Sequence, residues 1–221
     1  GIERAVNLIP DIIISDIMMP EVDGLELCQT LKNNPHTSHI PIILLTAKGD
    51  MESKISGLSK GADAYLPKPF NQRELEIRLE QLIASRKKMQ QQFSTGKWGE
   101  IELPQNPQLR QEYEFLKKVS DFIKANLGDE DLSIPKIASA VNMERSQLYR
   151  KINQLTGHSP SHLLKQLRLQ KAHELLVHSN MNVSEIAFEC GFKELPSLSR
   201  NYKAYFGKTP TEERKERKPK V

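Results

Sequence analysis

The stretch "IIISDIMMPEVDG", residues 12–24, decides the fold of the first part of the chain. It begins with three isoleucines and reaches a carboxylate, Asp16, after one serine. An apolar run this short, without helical spacing, is typical of a strand that is buried in a parallel sheet. A carboxylate directly behind such a strand is costly unless it reaches solvent or has partners. We therefore predict that Asp16 lies at the open, carboxyl end of a strand.

Two more short apolar runs continue this pattern, "PIILLTA" at residues 41–47 and "AYLPKP" at residues 64–69. Segments whose apolar residues have the spacing of a helix lie between the three runs and after the last of them. Strands that alternate with helices in this way predict a parallel sheet with crossover helices, and hence an α/β fold. The apolar positions of the three predicted helices are Leu25, Leu27, Cys28 and Leu31, then Ile55 and Leu58, then Leu75, Leu79, Leu82 and Ile83.

Three side chains with complementary chemistry end the three predicted strands: Asp16, Thr46 and Lys68. The carboxyl ends of parallel strands meet at one edge of a sheet, where ligands and reactive groups collect. A carboxylate can attack a phosphoryl group, and an ammonium and a hydroxyl can hold its oxygens. Each residue alone also fits an ordinary strand end or loop, but the combination favours phosphorylation of Asp16. Turn chemistry explains Asp23–Gly24, to which we assign no catalytic role.

Residues 1–85 resemble a response-regulator receiver domain, on the motifs "SDIMMPEVDG" (15–24), "LLTA" (44–47) and "GADAYLPKPF" (61–70). The resemblance implies a flavodoxin-like α/β fold and a cis peptide bond between Lys68 and Pro69. It also implies roles for single residues. Asp16 would be the phosphoacceptor, Thr46 and Lys68 the groups that hold the phosphoryl oxygens, Tyr65 the switch aromatic, and Met18 the source of a backbone carbonyl for the metal.

The resemblance also shows what residues 1–85 lack. The family begins with a strand that ends in a pair of acidic Mg²⁺ ligands, followed by a helix and a second strand, and only Glu3–Leu8 precedes the run at residues 12–14. We therefore expect a receiver remnant whose sheet lacks its first two strands, in a chain that is a fragment. Mg²⁺ belongs to the intact receiver, and Asp16 with the Met18 carbonyl is too few ligands to bind it here.

The charge of the chain is uneven. Residues 1–85 carry 8 Lys and Arg against 12 Asp and Glu, whereas the remaining residues carry 24 against 16. A basic second part favours nucleic acid as its partner. Between the two parts, residues 86–106 mix a charge run, a run of three glutamines, two glycines and a proline, which predicts a linker.

Residues 107–216 are helical in pattern and contain a repeat. Ile134, Ile137, Ala138 and Val141 have the spacing of one helix face, and Val183, Ile186, Ala187 and Cys190 repeat it 49 positions later. In each copy a short helix, a break and a second helix follow one another, which is the layout of a helix-turn-helix motif. We predict N-caps at Ser133, Ser159 and Asn182, the last in a capping box with Glu185.

The same residues resemble the two-motif DNA-binding domain of the AraC family, on "SIPKIASAVNMERSQLYRKINQLTGHSP" (133–160) and "NVSEIAFECGFKELPSLSRNYKAYFGKTPTEER" (182–214). In the first recognition helix we expect Leu148, Ile152 and Leu155 to face the core and the polar residues to face a major groove. The second recognition helix begins with Glu194, Leu195 and Pro196, which are poor at base readout. The predicted DNA-binding residues are Arg145, Ser146, Tyr149, Arg150 (base contact), Lys151 (phosphate), Asn153, Ser197, Arg200 and Lys203.

Together these patterns predict a DNA-binding transcription regulator of a two-component phosphorelay, controlled through Asp16 in the intact protein and not itself an enzyme. The expected partners are double-stranded DNA, a histidine kinase and a second copy in a homodimer. Cysteine usage and the lack of an apolar run of about 20 residues predict a cytoplasmic chain without membrane contact. Residues 217–221 are expected to form a solvated basic tail. The alternative is a receiver-like oligomerisation module with phosphorylation-independent DNA binding. An RNA-binding output is disfavoured by the helical repeat.

Overall fold

The structure, a computed structural model, describes residues 1–47, 61–93 and 107–217. The predicted helix at Ile55 and Leu58, most of the predicted linker and the end of the tail lie outside these residues. The elements are α1 (Ile2–Leu8), β1 (Ile13–Asp16), α2 (Gly24–Asn33), β2 (Ile42–Ala47), β3 (Ala64–Lys68), α3 (Gln72–Phe93), α4 (Pro107–Ala125), α5 (Ile134–Ala140), α6 (Arg145–Thr156), α7 (Pro160–His178), α8 (Val183–Glu189), α9 (Leu195–Phe206) and α10 (Pro210–Arg217).

The chain divides into two compact units. The first contains Gly1–Leu116 together with Ser146–His158, and the second contains Lys117–Arg145 together with the residues from Ser159 onward. All of α6 except Arg145 therefore belongs to the first unit, although the sequence groups this helix with the helical repeat.

The first unit contains the predicted parallel sheet, in the order β1-β2-β3. Apolar residues of α1, α2 and the strands form its core, with Leu31, Ile42 and Leu44 fully buried. Helix α2 begins where the Asp23 carboxylate accepts a hydrogen bond from Glu26 N at 2.7 Å, a standard N-cap. The α/β fold predicted from the alternating runs is confirmed.

Strand β1 differs from the expectation of a strand that is buried on both faces. Within the described sheet it pairs with β2 alone, and Ile14 is 45% exposed. An apolar run alone does not reveal whether its strand lies inside a sheet or at the edge, but the loss of the first two strands, expected from the resemblance, does leave β1 at the edge. The strand is nevertheless formed, and it pairs with β2 from Ile13 to Asp16.

Helix α3 continues to Phe93, so residues 86–93, the first part of the predicted linker, are helical. The sequence "RKKMQQQF" contains no glycine or proline, and Arg, Lys, Met and Gln are good helix formers. The charge run and the glutamines are therefore compatible with a continuous helix. Helix α4 begins at Pro107, where proline occupies a favoured helix start.

The second unit is helical, and its core comes from α7, α8 and α9. Leu169, Ile186 and Tyr202 are fully buried there. The capping box of Asn182 and Glu185 is present, and the Ser159 hydroxyl accepts a hydrogen bond from His162 N at 3.1 Å. Ser133 occupies the N-cap position of α5 without a side-chain hydrogen bond. The two copies of the repeat match in length, because α5 and α8 have 7 residues each and α6 and α9 have 12.

Candidate phosphorylation site and DNA-binding helices

The three strands bring Asp16, Thr46 and Lys68 to one edge of the sheet. In the strand register Asp16 is opposite Leu45, while Thr46 and Ala47 are opposite Pro67 and Lys68. The Lys68 ammonium forms an ion pair with the Asp16 carboxylate, and Met18 N donates a weak hydrogen bond to Asp16 Oδ1 at 3.4 Å. The site therefore contains a nucleophilic carboxylate with a cation already in contact with it.

This edge opens into a cavity of about 640 Å³. The Lys68–Pro69 peptide bond is cis, as the resemblance implied. Thr46 is 6% exposed and does not line the cavity, whereas its neighbour Ala47 does. Among the described residues, those that line the cavity are Asp16, Met18, Ala47, Lys68, Pro69 and Phe70.

The ion pair sets the protonation of Asp16. The hydrogen bond from Lys68 lowers the pKa of the Asp16 carboxyl below its ordinary value, and the backbone groups of Met18 and Ile17 act in the same direction. Because Asp16 is ionised at neutral pH, it is available as a nucleophile.

Replacing Lys68 with methionine is expected to raise the pKa of Asp16 toward its ordinary value of 3.8. Because this pKa is lower in the folded chain, the ion pair stabilises the fold above pH 3.8 and loses that effect as the pH falls through the lowered pKa. Carboxyl-carbon NMR titration measures the shift. Lys136→Met, which removes the partner of the Asp129 carboxylate, is the control and should leave Asp16 unchanged. An unchanged Asp16 pKa in Lys68→Met would contradict the assignment.

Tyr65, the predicted switch aromatic, points into the core. It is 7% exposed, and its hydroxyl has no hydrogen-bond partner among the residues that the structure describes. Burial raises the pKa of Tyr65 to about 12, with Cys28 and Asp63 acting in the same direction. A buried hydroxyl without a hydrogen bond is costly, so among the described residues only apolar packing holds the Tyr65 ring in this orientation.

The described residues do not supply a Mg²⁺ site. In the ranges 1–47, 61–93 and 107–217, no group of three or more His, Cys, Asp or Glu side chains could hold a metal. Asp16 is the carboxylate that lines the cavity, and its charge is already paired with Lys68. Mg²⁺ requires several oxygen ligands. The donors that the described residues place at this edge of the sheet are therefore too few for Mg²⁺.

Gly24 is a structural requirement of the site that the sequence analysis missed. Its N–H donates to the Ile17 carbonyl at 2.9 Å, and a Cβ at this position would lie 2.1 Å from the carbonyl oxygen of Asp16. The available signal was a glycine at the start of a helix a few residues after the reactive carboxylate. We attributed it to a turn, whereas the structure shows a close backbone approach.

Helix α6 exposes the polar face that the sequence predicted. Leu148, Ile152 and Leu155 are fully buried. The exposed residues of the predicted DNA-binding set on this helix are Arg145, Ser146, Tyr149, Arg150 and Asn153.

Lys151 does not belong to that exposed face. It is 1% exposed, and its Nζ lies 3.0 Å from Glu112 Oε2 and 4.3 Å from the centre of the Phe115 ring. In this conformation the ammonium cannot reach a DNA phosphate. The sequence predicts one buried side of α6, that of Leu148, Ile152 and Leu155. The structure has a second buried side, which contains Gln147, Lys151 and Gln154.

Helix α9 buries Leu198 and Tyr202 and exposes Arg200 and Lys203, while Ser197 is half-buried. Within the second unit its position is held by a polar cluster. Tyr202 donates a hydrogen bond to Glu213 Oε2 at 3.2 Å, and Lys208 forms an ion pair with the same carboxylate at 3.2 Å. Lys208 lowers the pKa of Glu213 against the opposing effect of burial.

Comparison with known proteins identifies both domains. Residues 1–80 match the family model of the response regulator receiver domain, and residues 137–216 match that of a helix-turn-helix domain. The chain carries a receiver domain followed by a helix-turn-helix domain, as the sequence motifs predicted. Both are regulatory rather than enzymatic domains. Receiver domains generally bind Mg²⁺ for phosphorylation and receive the phosphoryl group from a histidine kinase, and a helix-turn-helix domain implies DNA as its partner.

Individual proteins match either nearly the whole chain or one part of it. The chain is 32% identical over 215 residues to histidine kinase P4 of Formosa agariphila. This match covers 96% of this chain and 15% of that protein. It is 45% identical over 83 residues to the DNA-binding dual master transcriptional regulator RpaA of Synechocystis, covering 38% of this chain and 34% of that protein.

A crystal structure of a transcriptional regulator with an AraC-type DNA-binding domain, from Chromobacterium violaceum, is 34% identical. The match covers 48% of this chain and 93% of that chain, with a TM-score of 0.44. The chain thus spans between 15% and 34% of the length of the two curated relatives above. Among the described residues, no helix is long and apolar enough to span a membrane.

Proposed function

We propose that the chain is the receiver and DNA-binding end of a cytoplasmic transcription regulator in a two-component phosphorelay, and that phosphorylation of Asp16 controls it in the intact protein. The observation that carries this proposal is the ion pair of Asp16 and Lys68 at the strand ends, in a chain that also exposes Arg150 on a recognition helix. A histidine kinase would supply the phosphoryl group, and a homodimer would bind double-stranded DNA.

In the proposed reaction a carboxylate oxygen of Asp16 attacks the phosphorus of the donor. The bond between phosphorus and the donor atom breaks, the donor leaves with the electron pair, and Asp16 becomes an acyl phosphate. Lys68 then pairs with a phosphoryl oxygen instead of the carboxylate, and the Thr46 hydroxyl turns toward the phosphoryl group. In the intact receiver Mg²⁺ requires acidic ligands in addition to the residues described here.

On the DNA side we propose that the domain is of the AraC type and that α6 and α9 enter two major grooves about one helical turn apart. Arg150 suits a bidentate contact with guanine, and Arg145, Arg200 and Lys203 suit phosphates. Affinity should then fall steeply with salt concentration, because phosphate contacts release counterions.

The test of phosphorylation control compares this chain with a longer form of the protein that includes the preceding residues. Each is treated with acetyl phosphate and Mg²⁺, and phosphoryl incorporation is measured by mass spectrometry. We expect incorporation in the longer form and its loss in Asp16→Asn, with DNA affinity changing only where incorporation occurs. Asp23→Asn, which alters the neighbouring N-cap carboxylate, is the matched control and should still incorporate the phosphoryl group.

The second candidate is an oligomerisation module with phosphorylation-independent DNA binding. The described side chains around Asp16 favour this second candidate, because they cannot hold Mg²⁺ by themselves. If the longer form also takes up no phosphoryl group, or takes it up without any change in DNA affinity, this candidate replaces phosphorylation control.

A further inference from the structure

Within the second unit, the loop that leads into the first helix-turn-helix motif packs on the turn of the second motif. The loop lies between α4 and α5, and the turn lies between α8 and α9. A Cβ at Gly191, in the turn, would overlap the carbonyl oxygen of Leu127, in the loop. A Cβ at Gly128 would meet the Glu189 carbonyl oxygen at 3.4 Å. The two segments therefore approach each other backbone to backbone, next to glycines.

Arg168 contacts both segments from α7, the helix that follows the first motif and precedes the second. Its Nη2 donates a hydrogen bond to the Asp129 carbonyl at 2.8 Å and would lie 2.6 Å from a Cβ at Gly191. The planar guanidinium therefore bonds to the loop and lies against the backbone of the turn. Its Nε is buried without a hydrogen-bond partner among the described residues, so packing between the two segments keeps this side chain from being fully solvated.

The loop is tied to the first motif by its own hydrogen bonds. The Asp129 carbonyl also accepts a hydrogen bond from Leu132 N at 3.1 Å, and the Asp129 carboxylate accepts one from Asp131 N at 2.8 Å. From α5, Lys136 pairs with the same carboxylate at 3.0 Å and lowers the pKa of Asp129. A movement of the loop is therefore transmitted to α5.

The turn is tied to the second motif in a similar manner. Gly191, with φ 72°, donates a hydrogen bond to the Phe188 carbonyl at 2.8 Å. Phe192 N donates to the Ala187 carbonyl at 2.9 Å, and the Phe192 side chain belongs to the core of the second unit. Helix α9 begins three residues later, at Leu195. A movement of the turn is therefore transmitted to the start of α9.

We propose that this inter-motif contact, made by residues 127–129, Arg168 and Gly191, sets the spacing of the two DNA half-sites that the chain reads, and that Arg168 positions one motif on the other. In a helix-turn-helix a short turn joins the first helix to the recognition helix, so the two move together. Two adjacent major-groove contacts require half-sites about one helical turn apart. The inference rests on the proposed binding of two major grooves and adds the residues that determine their spacing.

The test uses the full chain and duplexes of about 40 base pairs that the chain selects from a random pool, long enough for two half-sites. From a selected duplex, a second duplex is made with one base pair inserted between the half-sites. The insertion separates the half-sites by about 3.4 Å and rotates one against the other by about 34°. The wild-type chain should bind the second duplex about tenfold more weakly, because one motif loses base contacts.

Gly191→Ala should reduce this preference for the selected spacing to about threefold or less, because the new Cβ forces the loop away from the turn. Gly207→Ala is the matched control. Gly207 has a similar positive φ, 79° against 72° at Gly191, but no described atom lies within 4 Å of a Cβ there. Both variants carry the same backbone strain, so a difference in spacing preference reports the inter-motif contact.

Arg168→Met tests the same contact without backbone strain, and it decides the result if Gly191→Ala does not fold. It removes the hydrogen bond to the loop and should also reduce the spacing preference. Arg214→Met is its control, because Arg214 likewise donates to backbone carbonyls of the second unit, those of Ser179 and Met181 at 2.6 and 2.7 Å. Hydrogen exchange of the Leu132 amide, which donates to the same carbonyl as Arg168, is a readout without DNA and should speed up only in Arg168→Met.

The outcomes separate the inter-motif contact from the proposed function. If the wild-type chain prefers one spacing and the folded Gly191→Ala and Arg168→Met variants keep that preference, the contact does not set the spacing and the proposed function stands. If the wild-type chain selects no duplex, or only single half-sites, the proposed binding of two grooves fails and the inference fails with it. Loss of the preference in both variants, with Gly207→Ala and Arg214→Met unchanged, supports the inference.

Discussion

Replacing Glu112 with alanine is expected to lower the free energy of unfolding by about 3 to 5 kcal/mol, the usual cost of leaving one buried charge without its partner. Glu112 and Lys151 are 3% and 1% exposed, and their charged atoms lie 3.0 Å apart. Urea denaturation followed by circular dichroism measures the change.

The pH dependence of this variant has a definite sign. Burial already lowers the pKa of Lys151, and Glu112 opposes that effect. Without Glu112, the pKa of Lys151 falls further below that of the unfolded chain. Between that lowered pKa and 10.5 the unfolded state then binds more protons, so the destabilisation increases as the pH falls through this window and is constant below it.

Two further variants show whether the charge pair is responsible. Asp121→Ala breaks an exposed pair with Lys117 on the same helix, at 2.7 Å, and should cost about 0.5 kcal/mol or less. The double variant Glu112→Leu with Lys151→Met removes both charges and should be nearly neutral. If Glu112→Ala lowers the free energy of unfolding as little as Asp121→Ala does, the ion pair of Glu112 and Lys151 is not tightly buried.

Replacing Gly24 with alanine is expected to destabilise the first unit by about 3 kcal/mol, at the upper end for overpacking. The new Cβ would lie 2.1 Å from Asp16 O and 2.9 Å from Ile17 Cα, and both are backbone atoms that cannot turn away. The backbone of the phosphoacceptor must therefore move. Denaturation measures the loss of stability, and the carboxyl resonance of Asp16 reports the displacement.

Gly128→Ala is the matched control for Gly24→Ala. Neither glycine has a positive φ, and a Cβ at Gly128 would meet its nearest atom, Glu189 O, at 3.4 Å. We expect Gly128→Ala to lower the free energy of unfolding by much less than Gly24→Ala does. Equal effects at the two positions would show that loss of glycine flexibility, rather than contact with Asp16, determines the result.

The parts of the site that follow from local periodicity could be predicted from the sequence. Short apolar runs place Asp16 and Lys68 at strand ends, and parallel topology brings those ends together. The same holds for the exposed face of α6, because helical spacing buries Leu148, Ile152 and Leu155.

The parts that depend on tertiary approach could not be predicted in this way. The distance between Gly24 and Asp16 depends on the path of the chain between them rather than on any spacing. The burial of Lys151 depends on Glu112 and Pro35, which are 39 and 116 positions away along the chain. A lysine on a helix is ordinarily a surface residue, and only a second packing partner reverses that expectation.

The continuous course of α3 has a mechanical consequence. The helix begins at Gln72, four positions after Lys68, and 18 positions later Gln90 contacts the end of α6. At 1.5 Å per residue these glutamines are about 27 Å apart along a rigid rod. A tilt of about 5° at the near end would displace the far end by about 2 Å, enough to break a hydrogen bond. The helix can therefore act as a lever that amplifies a small movement beside the reactive carboxylate.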